Sequence, residues 1–154
     1  MPSNQRPRDL LGRPLPWDAR TQLELEDFDA FDPDRNHALG IEHFNGGRFF
    51  SAHEAWETAW KQLRDTDDAE FFKGLAQMGA GYVHLLRGNP HGVVVLLERA
   101  TSRLRRYGER HRGLDLAAVV DRCERDRRDV LAGALAPGPE ALTLDPPFLQ
   151  VTGV

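Results

Sequence analysis

Residues 44–60 read FNGGRFFSAHEAWETAW, and the pattern in this stretch decides the fold. From Arg48 to Leu63 the apolar side chains recur at steps of three and four residues, which predicts an amphipathic helix. This apolar stripe consists of Phe49, Ala52, Trp56, Ala59, Trp60 and Leu63. A shorter helix is predicted before it, from His37 to Asn45, and the paired glycines would end that helix.

Helical periodicity continues along the chain to residue 135. Residues 69–86 are apolar nearly all round, which is typical of a central helix. Gly88-Asn89-Pro90 then provides a helix C-cap, an N-cap and a first-turn proline. Further helices are predicted over 93–107 and 114–135. Because no segment alternates as a strand would, we predict an all-α single domain, an irregular bundle of four to five helices.

The two ends of the chain differ from this helical part. Five of the ten prolines lie within residues 1–36, together with a cluster of acidic residues, and four lie within residues 136–154. Proline lacks a backbone N–H and clashes with the preceding helical turn, so it disfavours a helix. We therefore divide the chain into an irregular acidic arm over 1–36, a helical domain over 37–135 and a Pro-rich C-terminal tail over 136–154.

Composition excludes several classes of protein. With 40% hydrophobic and 29% charged residues among 154, the chain is expected to fold and to be soluble. Its formal net charge of −4 argues against a nucleic-acid binder. No apolar run approaches the roughly 20 residues that a membrane span needs, so no membrane contact is expected. The lone cysteine, Cys123, excludes a disulfide framework and a multi-thiolate metal site, and it fits the cytoplasm.

Polar side chains interrupt the apolar pattern of the first long helix. His53 and Glu57 lie one turn apart, and the spacing i, i+3, i+4, i+7 places Trp56 and Trp60 on the same face. A buried carboxylate needs a partner, and His53 is the nearest candidate for Glu57.

The following helix carries a second polar pair. Gln77 and His84 lie seven residues apart, on a line with Gly74 and Gly81. A glycine costs a helix roughly 1 kcal/mol relative to alanine, so these positions imply a close neighbour. If that neighbour is the face of His53, the polar side chains of the two helices meet. We expect His53 and Glu57 to be largely buried there. We also expect a hydrogen bond among the four polar side chains, either direct or through a shared water or ion.

Three motifs carry a resemblance to a known family. They are FNxGxFFxAHExWExxW over 44–60, FxGLxQ over 72–77 and HxxxGNPxG over 84–92. On these motifs, residues 41–107 resemble the domain-of-unknown-function 309 family. The resemblance implies a small, soluble, helical protein whose activity is not established. It adds a glutamate to the residues of interest, so the candidate pocket consists of His53, Glu54, Trp56, Glu57, Trp60, Gln77 and His84.

The pocket residues leave several functions open. They would form a structural hydrogen-bond network or a site for a small ligand. His53, Glu57 and His84 are also a legitimate ligand set for a divalent metal cofactor. The same three residues are the catalytic candidates of a metal-dependent or an acid–base enzyme. The stretch HEAWE departs from the zinc-protease motif HExxH, because Glu57 stands where the second histidine belongs.

An arginine stripe offers an alternative of another class. Arg99, Arg103 and Arg106 lie at i, i+4 and i+7, which suits contact with phosphate or RNA. A solvated face balanced by neighbouring glutamates is the plainer interpretation, and we do not expect nucleic-acid binding. A small molecule and a second copy of the chain remain open as partners.

Overall fold

The computed structural model describes residues 6–152 of the chain. Five α-helices account for most of them: α1 Pro33–Asn45, α2 Phe49–Gln62, α3 Ala69–Arg87, α4 Pro90–Leu104 and α5 Leu116–Leu131. The two-residue strands β1 Arg110–His111 and β2 Leu114–Asp115 pair antiparallel, and single 3-10 turns span Phe28–Ala30 and Arg105–Tyr107. The predicted helical bundle is therefore confirmed, with one small hairpin added.

Local capping sets the helix ends. Helix α1 begins at Pro33, earlier than the predicted start at His37, because the Asp32 carboxylate accepts a hydrogen bond from the Arg35 amide at 2.7 Å. Proline at the first helical position needs no hydrogen-bond partner, so it starts this helix instead of interrupting it. The cap predicted at Gly88 is present, with a left-handed φ of 81°.

The hairpin replaces the start of the last predicted helix. Gly113 turns the chain in the left-handed region at φ 80°, and Arg112 before it has φ 43°. Helix α5 then begins after Asp115, whose carboxylate accepts a hydrogen bond from the Ala118 amide. The tail returns to this hairpin, where the Thr152 amide donates to the Gly113 carbonyl at 2.7 Å.

Helix α3 lies at the centre of the bundle, between α2 and α4. Its largest apolar side chains are fully buried: Phe71, Phe72, Leu75, Met78, Tyr82 and Leu85. Helices α1 and α2 approach closely at Gly40, where a Cβ would lie 2.5 Å from the Trp56 ring. Within residues 6–152, no helix is long and apolar enough to cross a membrane.

The described parts of the arm and of the tail both pack on the bundle. In the arm, Phe28 is buried beside Leu39, and the Glu26 carboxylate accepts a hydrogen bond from His43 Nε2 at 2.8 Å. In the tail, the Asn45 side chain holds both backbone groups of Leu149, at 2.6 Å to the amide and 3.1 Å to the carbonyl.

Candidate functional site

His53 lies where α2 and α3 come closest. Its Nδ1–H donates to the Ala76 carbonyl of α3 at 2.8 Å, so this ring nitrogen carries the proton. A Cβ at Gly79 would lie 3.1 Å from the His53 amide nitrogen, so the glycine permits the close approach. The His53 side chain is 26% exposed, which makes it half-buried and not largely buried as expected.

Glu57 has a different partner from the one predicted. Its Oε2 lies 3.8 Å from Lys73 Nζ of α3, and the same ammonium lies 4.3 Å from the centroid of the Trp60 ring. The His53 ring points along α3 to a main-chain carbonyl instead of along α2 to Glu57. The Glu57 side chain is half-buried in this ion pair, so the expected His53–Glu57 pairing is not formed.

Gln77 and His84 turn towards α4. The Gln77 Oε1 accepts a hydrogen bond from Arg103 at 3.0 Å, and the Asn89 side-chain amide lies 2.9 Å from His84 Nδ1. The reason is the glycine line on α3: Gly74 and Gly81 face Leu104 and Leu97 of α4, not α2. Glycines indicate that some neighbour is close but do not identify it.

Trp56 points away from the other members of its predicted face. It is fully buried, and its Nε1–H donates to His37 Nδ1 of α1 at 3.1 Å. The other ring nitrogen of His37 donates to the Arg112 carbonyl at 3.1 Å. Burial lowers the pKa of His37 to about 4, and the nearby Arg112 charge acts in the same direction.

His37 is a residue that sequence reasoning missed. A buried indole N–H requires an acceptor, so Trp56 was the available signal that a polar group of another element lies beside it.

The predicted polar cluster is therefore not assembled as expected. Among residues 6–152, no direct hydrogen bond joins any two of His53, Glu57, Gln77 and His84, which bond to four separate partners. The described residues also contain no group of three or more His, Cys, Asp or Glu side chains that could hold a metal ion. The three predicted metal ligands do not converge, so we draw no metal site from them.

The arginine stripe is broken in a similar way. Arg103 folds back onto α3, where its Nε donates to Glu70 at 2.6 Å, while Arg99 and Arg106 stay exposed. A cation neutralised within the fold contributes little to phosphate binding. This geometry favours a solvated, balanced face.

What the structure does bring together is a half-exposed surface along the seam between α2 and α3. We call it the signature face. Its members are the half-exposed residues Phe50, His53, Glu54, Glu57 and Trp60 of α2 with Lys73 of α3, and it includes Arg87 of α3, which binds the arm next to the glycine that packs on Phe50. Trp56 is excluded because it is buried, and Gln77 and His84 lie one step further round α3, towards α4. Four of the seven members were predicted site residues.

The arm covers one end of the signature face. An Arg87 Nη donates to the Leu11 carbonyl at 2.6 Å. Gly12 lies flat against Phe50, since a Cβ there would come within 2.2 Å of the ring, and its φ of +80° also suits glycine. A cavity of about 260 Å³ between the arm and α2 is lined by Arg6, Arg8, Leu25, Phe50 and Glu54.

The helices that form this face lie within a segment that matches a known family. Residues 38–96 match DUF309, described as a domain of unknown function. The family resemblance predicted from the sequence is confirmed. The DUF309 match covers α2, α3 and therefore the whole signature face, whereas the arm precedes it. No curated protein and no solved structure matches the chain.

Proposed function

We propose that this protein is a non-catalytic binding module whose signature face receives a peptide turn of a partner protein. One observation carries the proposal: a tight turn of the chain's own arm, closed by the bridge between Arg8 and Pro14, already lies on that face. Arg87 holds a main-chain carbonyl of the arm, and Phe50 packs against a glycine. These contacts are made to the main chain of the bound segment, as in other modes of peptide recognition.

The contacts of the polar residues also favour recognition over catalysis. His53 donates its Nδ1 proton to a main-chain carbonyl, and Glu57 pairs with a lysine. An acid–base or metal-dependent enzyme would need these two side chains and His84 to converge on one reacting group. In contrast, Arg87 keeps a spare donor: its buried Nε has no hydrogen-bond partner within the described part of the chain.

The proposal places the protein in the cytoplasm. Cys123 is a single buried thiol, and burial raises its pKa to about 12, so it stays a protonated thiol at neutral pH. This agrees with a reducing compartment.

The experiment that tests the proposal uses the full-length chain with its arm released. Gly12→Val places a branched side chain into the Phe50 ring at a positive φ, so the arm is expected to leave the face. A synthetic peptide of residues 6–23 is then titrated into the isotope-labelled variant, and amide chemical shifts are followed. We expect saturable shifts at Phe50, Glu54 and Arg87, and none in α5.

Two controls make the result specific. Gly133→Val introduces the same strain at a φ of +75° with no neighbour within 4 Å, so it should leave the arm in place. A peptide of the same composition in scrambled order should not bind. If the arm peptide gives no saturable shift at about 1 mM, the concentration of a very weak complex, the proposal is wrong.

A further inference from the structure

We infer that the segment bound by the signature face carries an arginine that lies over the Phe50 ring and beside Glu54. This inference rests on the proposed function and names the chemistry of the partner. In the isolated chain, Arg8 of the arm holds that position in cis.

The Phe50 end of the face is built to receive a cation. The Arg8 guanidinium carbon lies 5.6 Å from the centroid of the Phe50 ring, within the range of a cation–π interaction. Glu54 lines the same cavity, and its side chain is 37% exposed. Within residues 6–152, no lysine or arginine forms an ion pair with it, and the His53 Nε2 atom lies 3.8 Å from its Oε1. An aromatic face and a carboxylate without an ion-pair partner thus share one cavity, which Arg6 and Arg8 of the arm also line.

The other end of the face repeats this arrangement with its cation built in. There the aromatic ring is Trp60, the carboxylate is Glu57, and Lys73 of α3 lies against both. At the Phe50 end, no residue of the five helices supplies the equivalent cation, and only the arm does. A segment that replaces the arm must therefore bring its own positive charge to lie over the Phe50 ring.

The geometry favours arginine over lysine. While the Arg8 guanidinium lies over the ring, its Nη1 also donates to the Gly12 carbonyl at 2.6 Å. A planar guanidinium makes both contacts at once, whereas an ammonium is a point charge with a strongly held hydration shell. A tight turn with an arginine four residues before a glycine reproduces this arrangement.

The test compares peptides on the arm-released chain. The probe is the peptide of residues 6–23, and its variants carry Arg8→Ala or Arg20→Ala, since Arg20 is exposed and makes no contact with the face. Each peptide is titrated into the full-length Gly12→Val protein, and its affinity is measured by calorimetry. We expect Arg8→Ala to weaken binding about five- to tenfold, the size of a partly desolvated cation–π contact, and Arg20→Ala to change it less than twofold.

A double-mutant cycle distinguishes a contact between Arg8 and the signature face from a contact that only stabilises the peptide's own turn. The same peptides are titrated into Gly12→Val chains that also carry Phe50→Leu or Glu54→Gln. If Arg8 contacts the face, the Arg8→Ala substitution should weaken peptide binding clearly less on these two chains. An equal loss on all three chains would show that Arg8 only braces the peptide, and an unchanged affinity of the Arg8→Ala peptide would also overturn the inference. Failure of every peptide to bind would instead refute the proposed function.

Discussion

Acidification should weaken this fold through one of its buried histidines, His37. His37 donates one ring N–H to the Arg112 carbonyl and accepts the Trp56 N–H at the other nitrogen, so only the neutral ring fits. Its pKa falls from the ordinary 6.5 to about 4, first because of burial. In the unfolded chain the ring would titrate near 6.5. The unfolded state thus binds more protons between these two values, and stability falls as pH is lowered through them.

The magnitude follows from the two pKa values. A difference of 2.5 units at about 1.4 kcal/mol each gives roughly 3 kcal/mol, most of which is lost by pH 4.5. Asp68 also loses stabilising charge in acid, but its pKa lies below 3.8, so its effect comes at lower pH. Burial alone would raise the pKa of this carboxyl, and hydrogen bonds from Arg112 and His111 lower it.

The assay is urea unfolding followed by tryptophan fluorescence at pH 7.5, 6.5, 5.5 and 4.5. The matched variant is His37→Gln, whose amide keeps a donor and an acceptor but does not titrate. We expect the wild-type protein to lose about 2.5 kcal/mol more than His37→Gln across this range. The half-buried His84 also has a pKa lowered by burial, but it is present in both proteins and cancels in the comparison. Equal pH dependence in the two proteins would refute the reasoning.

Three further predictions concern packing. Gly40→Ala drives a methyl group into the Trp56 ring and should cost about 2 kcal/mol or more in urea unfolding, whereas a neutral effect would mean that α1 moves freely. Asn45→Ala removes both hydrogen bonds to Leu149, so amide exchange of the tail should accelerate and stability should fall by about 1–2 kcal/mol. Cys123 should resist iodoacetamide at pH 8 until the protein is unfolded, and rapid labelling of the native chain would contradict its burial.

The helices were predictable because their signals are local. Apolar spacing and the caps around Gly88 and Pro90 act within a few residues, and the structure confirms them. The start of α1 at Pro33 differs from the predicted start at His37, although Asp32-Pro33 is an equally local signal, because proline interrupts a helix at interior positions but not at the first one. The hairpin at residues 110–115 depends on long-range contacts: Asp68 of the α3 N-cap accepts hydrogen bonds from His111 and Arg112.

The candidate site was predictable only in part, because its geometry depends on which helices meet. Spacing put His53 and Glu57 on one face correctly, but the sequence does not say that Gly74 faces α4 while Gly79 faces α2. This difference in packing turns Gln77 towards α4 and away from His53. The position of the arm could not be predicted from the sequence either. A proline-rich composition predicts an irregular segment but not the surface on which that segment lies.

The central claim is that the signature face binds a peptide turn through its main chain. The most direct measurement is the affinity of the peptide of residues 6–23 for full-length Gly12→Val and for Gly12→Val with Arg87→Ala. Arg87 gives a charged donor to the Leu11 carbonyl, so its loss should weaken binding about tenfold or more while Gly12→Val alone binds saturably. Equal affinity for the two proteins, or binding to neither, would contradict the account.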